Sequence, residues 1–179
     1  MNRIGAVYGQ GLYALAREEG LDVAILEQLQ VLEGCFEAQP EFVKLLSSYQ
    51  LPKQERIGIL EESFRGKVHD YVLNFLKLLT EKGYIRNFSA CCRTYREQYH
   101  ADNGILEVRA VSAVPLTDAQ KQRLTDKLTD MTGKTVALVC REDPAVLGGI
   151  RLNFDGKQVD GTVQGRLETM SKLLKNTVL

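Results

Sequence analysis

Gly133-Lys134-Thr135 is the stretch of this 179-residue chain nearest to a phosphate-binding motif. Such a loop closes on Gly-Lys-Ser/Thr and places a further glycine five residues earlier. That earlier position holds Leu128. Apolar spacing also runs from helix into strand across the triplet, the reverse of the strand-to-helix order that lets successive N–H groups cradle an anion. A helix end followed by a solvated lysine is expected there, and nucleotide binding is not.

The other reactive side chains form no constellation. His69 and His100 fall in expected amphipathic helices without metal-ligand spacing, so surface or boundary positions are expected for both. A Cys91–His100 nucleophile pair fails on reach, because nine residues of helix span about 13 Å. Glu61-Glu62 and Glu142-Asp143 are neighbouring carboxylates without the apolar pocket that would make one of them a proton donor. Cys35, Cys91, Cys92 and Cys140 show no C-x-x-C spacing, and reduced, mostly buried thiols are expected. Neither catalysis nor a metal or other cofactor is expected.

Small residues are the more informative signal. Gly5, Gly9 and Gly11 lie inside the expected first helix, where each costs about 0.5–1 kcal/mol relative to Ala. Two explanations stay open at this level: tight packing within a bundle, or a groove along the helix that accepts a partner helix.

The elements that position these residues change character near Gly104. Before it, apolar residues recur at helical spacing. Ile4, Val7, Tyr8, Leu12 and Leu15 mark a helix ending at Gly20; Ile25, Leu26, Leu29, Leu32 and Phe36 mark one from about Asp22 to Glu37. Pro40 opens a short helix carrying Phe42, Val43, Leu45 and Leu46, and Pro52 precedes Lys53 to Ser63, with Ile57, Leu60 and Phe64 inward. Val68 to Glu81 and Tyr84 to Asp102 complete six helices with short connections, the pattern of a bundle. After Gly104, Leu106, Val108, Ala110, Ser112 and Val114 alternate as a strand. Thr117 and Gln120 form a capping box for a helix that aligns Leu124, Leu128 and Met131 and ends at Gly133. Val136 to Cys140 and Ile150 to Phe154 read as strands, Asp155-Gly156 as a hairpin turn, and Gly148-Gly149 as a tight turn or bulge entering a strand. A last helix places Val163, Leu167, Met170 and Leu174 on one stripe. The expected fold is therefore α+β in two domains, a six-helix bundle over residues 1–104 and a small α/β domain over residues 105–179.

Composition narrows the function. Twenty-three Lys and Arg balance 23 Asp and Glu, and residues 1–104 carry 12 basic and 14 acidic side chains, leaving 11 and 9 for the rest. Neither half has the field that collects polyanions. No run approaches the roughly 18 apolar residues of a membrane helix. Residues Met1 to Tyr8 show neither a secretory nor a transit pattern, so a soluble protein with a cytoplasmic address is expected. A helical RNA-binding or regulatory adaptor remains the alternative, although no Lys/Arg stripe accompanies it.

Several segments occur together in a known order. Tyr8 and Tyr13-Ala14-Leu15-Ala16 stand near the start, and residues 74–83 read NFLKLLTEKG. Residues 112–116 (SAVPL), 132–134 (TGK), 143–149 (DPAVLGG) and 160–168 (DGTVQGRLE) follow in register. In these segments the chain resembles the delta subunit family of bacterial F-type ATP synthases, whose mitochondrial counterpart is the oligomycin-sensitivity-conferring protein. It departs from the family at Gln164, where a basic residue is common, and at Gly9 and Gly11, where Ala or larger residues are usual.

The resemblance implies a non-catalytic stator subunit at the cytoplasmic face of the bacterial inner membrane, held there through its complex. It implies two partners: the N-terminal helix of an alpha subunit for the helical bundle, and the peripheral-stalk b subunits for the C-terminal domain. Matching the family's groove helices points to Tyr8, Leu12, Leu15, Phe75, Leu78, Leu79 and Lys82 for the alpha-subunit contact. Val163, Leu167, Met170 and Leu174, with the Gly148-Gly149 region before them, are the stalk candidates.

Overall fold

The computed structural model describes residues 3–48, 50–146, 148–154 and 157–161. The expected final helix, with Val163, Leu167, Met170 and Leu174, lies outside the described residues, as does the Asp155-Gly156 turn. The chain is α+β and divides into two units, Met1–Tyr99 and His100–Leu179. No helix among the described residues is long and apolar enough to cross a membrane.

The first unit is built from α1 (Arg3–Glu18), α2 (Asp22–Ala38), α3 (Pro40–Leu46), α4 (Lys53–Phe64), α5 (Asp70–Glu81), a 3-10 turn at Ile85–Asn87, and α6 (Phe88–Asp102), whose end enters the second unit. Each helix sends its apolar stripe into one shared core. Leu12 and Ala16 of α1, Ile25 and Leu29 of α2, Leu46 of α3, Leu60 of α4, Leu76 of α5 and Tyr95 of α6 are all buried in it. Tyr95 is wholly buried, yet its hydroxyl donates to the Asp22 carbonyl, so an aromatic anchor is placed without an orphaned polar atom. A second polar anchor was not legible in the apolar pattern. Arg56 of α4 is buried and donates through a guanidinium nitrogen to the Leu46 carbonyl, placing positive charge at the C-terminal end of α3. At the surface, Lys77 of α5 and Arg65 both pair with Glu61 of α4.

The cysteines depart from the expectation of mostly buried thiols. Cys91 and Cys92 are buried, whereas Cys35, on the outer side of α2, and Cys140 are exposed. Adjacent residues of α6 can both be buried because the helix is packed on two sides, with Gly9 of α1 against Cys91 and Glu33 of α2 near Cys92. Burial pushes the Cys91 thiol up to about 11 and Cys92 higher still. A thiol reagent at pH 7.5 should therefore label Cys35 and Cys140 promptly and the buried pair at least about 100-fold more slowly until the protein unfolds. Prompt labelling of all four would contradict the packing of α6.

In the second unit, β1 (Ile105–Ser112), α7 (Asp118–Thr132), β2 (Thr135–Glu142), β3 (Ile150–Phe154) and β4 (Lys157–Asp160) form a sheet in the order β2-β1-β3-β4 with α7 on one face. β1 pairs parallel with β2 and antiparallel with β3, and β4 pairs antiparallel with β3. Alternation along β1 buries Leu106, Val108, Ala110 and Ser112, and Leu106 and Val108 pack with Leu128 and Val136. Both halves of the capping box form: Gln120 N–H donates to Thr117 Oγ1 at 3.3 Å, and the Gln120 side chain accepts from Thr117 N–H at 2.9 Å. Gly133 ends α7 at φ 67°, a conformation that costs a glycine little, and the chain runs straight into β2. Two expectations fail here. Val114 lies beyond the end of β1 and is 66% exposed; Met131, in the last turn of α7 beside the Gly133 cap, is 82% exposed and leaves the stripe to Leu124 and Leu128.

Candidate functional site

Helix α1 carries two adjacent faces, separable at about 100° of rotation per residue. Gly5, Gly9, Leu12, Tyr13 and Ala16 occupy one arc and are buried. Gly5 and Gly9 bring the backbone of α1 onto α6: a Cβ built on Gly5 would sit 2.8 Å from the Ala90 Cβ, and one on Gly9 would sit 2.5 Å from the Cys91 carbonyl oxygen. Gly11 is different, because a Cβ there would meet nothing within 4 Å. It belongs to the neighbouring arc, with Val7, Tyr8 and Leu15. The two explanations for the glycines thus divide by residue, Gly5 and Gly9 serving close packing and Gly11 opening a surface.

That surface faces α5. Val7, Tyr8, Gly11, Leu12 and Leu15 from α1 and Tyr71, Asn74, Phe75 and Leu78 from α5 line an open groove of about 370 Å³. Its floor is the edge of the core, where Leu12 and Phe75 are buried, and its walls carry solvent-facing apolar groups, with Val7 62%, Leu15 38% and Leu78 39% exposed. Tyr8 is fixed at one end by an edge-to-face contact with Tyr84 at 5.9 Å. Asn74 and the tyrosines Tyr8 and Tyr71 are the polar groups of a lining that holds no Asp, Glu, Lys or Arg. Such a trough suits an amphipathic helix presenting anchors at i, i+3/i+4 and i+7.

Among the residues matched from sequence, Tyr8, Leu12, Leu15, Phe75 and Leu78 meet in this one groove. Leu79 does not. It is wholly buried, because on α5 it lies about 40° beyond Phe75 toward the core, whereas Leu78 lies about 60° to the other side. Lys82 is exposed at the C-cap of α5 and does not line the groove. Tyr71 and Asn74 were not picked out from sequence, although their spacing from Leu78, i, i+3 and i+7, is the signal that would have found them. A second groove, about 480 Å³, lies between α2 and α4 and is lined in part by Val31, Cys35, Phe64 and Lys67.

The remaining chemical candidates take structural places. His69 stands before α5 as its N-cap, a role the expectation of a boundary histidine inside a helix had missed. His100 Nδ1 faces Glu107 at 3.8 Å. Gly148 and Gly149 both have positive φ, 76° and 84°, immediately before β3, so the turn into that strand depends on residues without Cβ. The four stalk candidates on the expected last helix lie outside the described residues.

Residues 4–174 match the family model described as ATP synthase delta (OSCP) subunit. The chain is 29% identical over 179 residues to ATP synthase subunit delta of Clostridioides difficile (strain 630), covering 99% of each chain. It is 31% identical over 169 residues to the protein of the same name from Desulfitobacterium hafniense (strain Y51), covering 94% of each. In structure it is similar to a chain of the Toxoplasma gondii mitochondrial ATP synthase hexamer, with a TM-score of 0.78 at 15% identity over 97% of this chain and 98% of that one, a likeness of fold.

Proposed function

The chain belongs to the ATP synthase delta (OSCP) subunit family, and from that premise we propose that it is a stator subunit, a tether that does no chemistry of its own. The first unit, taken as a six-helix bundle over residues 1–104, grips the N-terminal helix of an alpha subunit in the α1/α5 groove. The second unit, residues 105–179, holds the peripheral-stalk b subunits, with Val163, Leu167, Met170 and Leu174 as the contact stripe. The complex is bound to the inner membrane and this subunit stays peripheral, on the cytoplasmic face.

The observation that carries the reading is the convergence of Tyr8, Leu12, Leu15, Phe75 and Leu78 on one uncharged, solvent-open trough. Torque is the physical reason for such a site. Rotation of a central shaft drags the catalytic head with it unless the head is tied to the membrane sector, so what matters is slow dissociation under load. Burial of helix anchors supplies this through apolar area, at about 25 cal/mol per Å² before the costs of association. An interface of about 800 Å² per partner is the ordinary size for a stable complex.

Affinity capture from detergent-solubilised membranes tests the assignment. The tagged full chain is expected to bring down both alpha and b subunits, whereas residues 1–104 should keep the alpha-subunit peptide and lose b. Retention of b by residues 1–104 would contradict the division of labour, and recovery of RNA in place of the two subunits would contradict the stator reading itself.

A further inference from the structure

The first-turn N–H groups of a helix have no intrahelical acceptor, and an oxygen from Ser, Thr, Asp or Asn usually supplies one. Helix α5 departs from this habit: its cap is His69, whose Nδ1 accepts from Tyr71 N–H at 3.2 Å. The rings of His69 and Tyr71 lie 5.0 Å apart between centroids, and Tyr71 lines the α1/α5 groove. An oxygen cap keeps its lone pair at any physiological pH, whereas imidazoles in general change charge between about pH 5 and 8. We propose that His69 is an acid-labile clasp on the groove, its Nδ1 holding Tyr71 N–H and so the first turn of α5 while neutral and releasing them when protonated. Its effect on partner binding rests on the groove reading above; the clasp itself does not.

Protonation reverses the capping hydrogen bond. Nδ1 ceases to accept and becomes a donor facing the donor it had satisfied, and a positive charge arrives at a helix N-terminus, where the macrodipole disfavours it. The backbone cannot swing aside to relieve this, because His69 N–H is tied to the Gln28 side chain of α2 at 2.7 Å. Charged residues on the elements that meet here are Glu27 of α2, beside the Gln28 that holds His69 N–H, Lys67 and Asp70 of its own segment, and Glu18 and Glu19 at and just past the end of α1, whose Leu15 shares the groove with Tyr71; all are exposed. The carboxylates attract an imidazolium and Lys67 repels it. Among the described residues none of them is bonded to the imidazole, whose partners are Tyr71 N–H and the Tyr71 ring. The other histidine, His100, faces the Glu107 carboxylate rather than a helix N-terminus. A His69-specific control is therefore required.

The test uses the full chain, wild type and His69→Asn, because Asn is a good N-cap that does not titrate. Amide hydrogen exchange of Tyr71, expressed as a protection factor, is read at pH 7.5 and 5.5, and affinity for an alpha-subunit N-terminal peptide is measured at both. The wild type should lose about 5-fold in protection on acidification, with a parallel loss of peptide affinity, and H69N should change by less than about 2-fold. Equal protection at the two pH values in wild type, or an equal loss in H69N, would overturn the clasp. A wild-type peptide affinity that stays constant while Tyr71 protection falls would overturn the clasp's effect on partner binding. If the peptide binds at neither pH but Tyr71 responds as expected, the clasp stands and the groove assignment falls.

Discussion

Gly9→Ala is expected to destabilise the helical unit by up to about 2 kcal/mol net, an overpacking cost of about 1–3 kcal/mol less the roughly 1 kcal/mol that Ala gains over Gly as a helix former. The added methyl would sit 2.5 Å from the Cys91 carbonyl oxygen and 2.9 Å from the Thr94 Cβ. The nearer atom is backbone and cannot rotate away, so α1 must lift off α6 and loosen the packing around Leu12, Tyr13 and Ala16. Gly11→Ala is the matched control. Nothing lies within 4 Å of its would-be Cβ, so the same substitution two residues on should stabilise by about 0.5–1 kcal/mol. Urea unfolding followed by far-UV circular dichroism reads both. Midpoints moving in opposite directions support the close approach of α1 and α6; midpoints moving together would show that Gly9 does not serve it.

Leu78→Asp carries the largest functional effect. Leu78 is 39% exposed on the wall of the groove, so a carboxylate there stays in water and the helices remain packed. A partner helix seated over it would bury that charge without a counterion, and a loss of at least about 30-fold in affinity for the alpha-subunit peptide is expected. Leu79→Asp provides the contrast, since it places a charge at a wholly buried position and should unfold the unit. Calorimetric titration of the peptide, with circular dichroism on the same samples, separates the cases. A native L78D that binds like wild type would remove the groove wall from the interface, and an unfolded L78D would mean that Leu78 belongs to the core.

The helices and their order were legible because each packs one stripe into a single core, and a stripe is visible as spacing. Pro40 at the start of α3, the Thr117–Gln120 box and the Gly133 cap were legible for a related reason, being local chemistry with local partners. What spacing could not resolve is the last 60° or so of rotation. Leu78 and Leu79 are adjacent apolar residues on one helix, and only the position of α1 decides that the first faces the groove and the second the core. Gly9 and Gly11 look alike in sequence, but one meets α6 and the other meets solvent. Met131 sits on the right stripe but in a turn that the sheet does not cover. Arg56 and His69 were missed for another reason: each satisfies a helix end through a polar atom, and polarity in a sequence reads as surface.

The central claim is that the α1/α5 groove receives the alpha-subunit helix, and amide shift mapping tests it most directly. On titrating the alpha-subunit N-terminal peptide into the 15N-labelled full chain, saturable shifts should concentrate at Val7, Tyr8, Gly11, Leu15, Tyr71, Asn74 and Leu78. Shifts concentrated instead at Val31, Cys35 and Phe64 of the α2/α4 groove, or no saturable binding, would contradict the account.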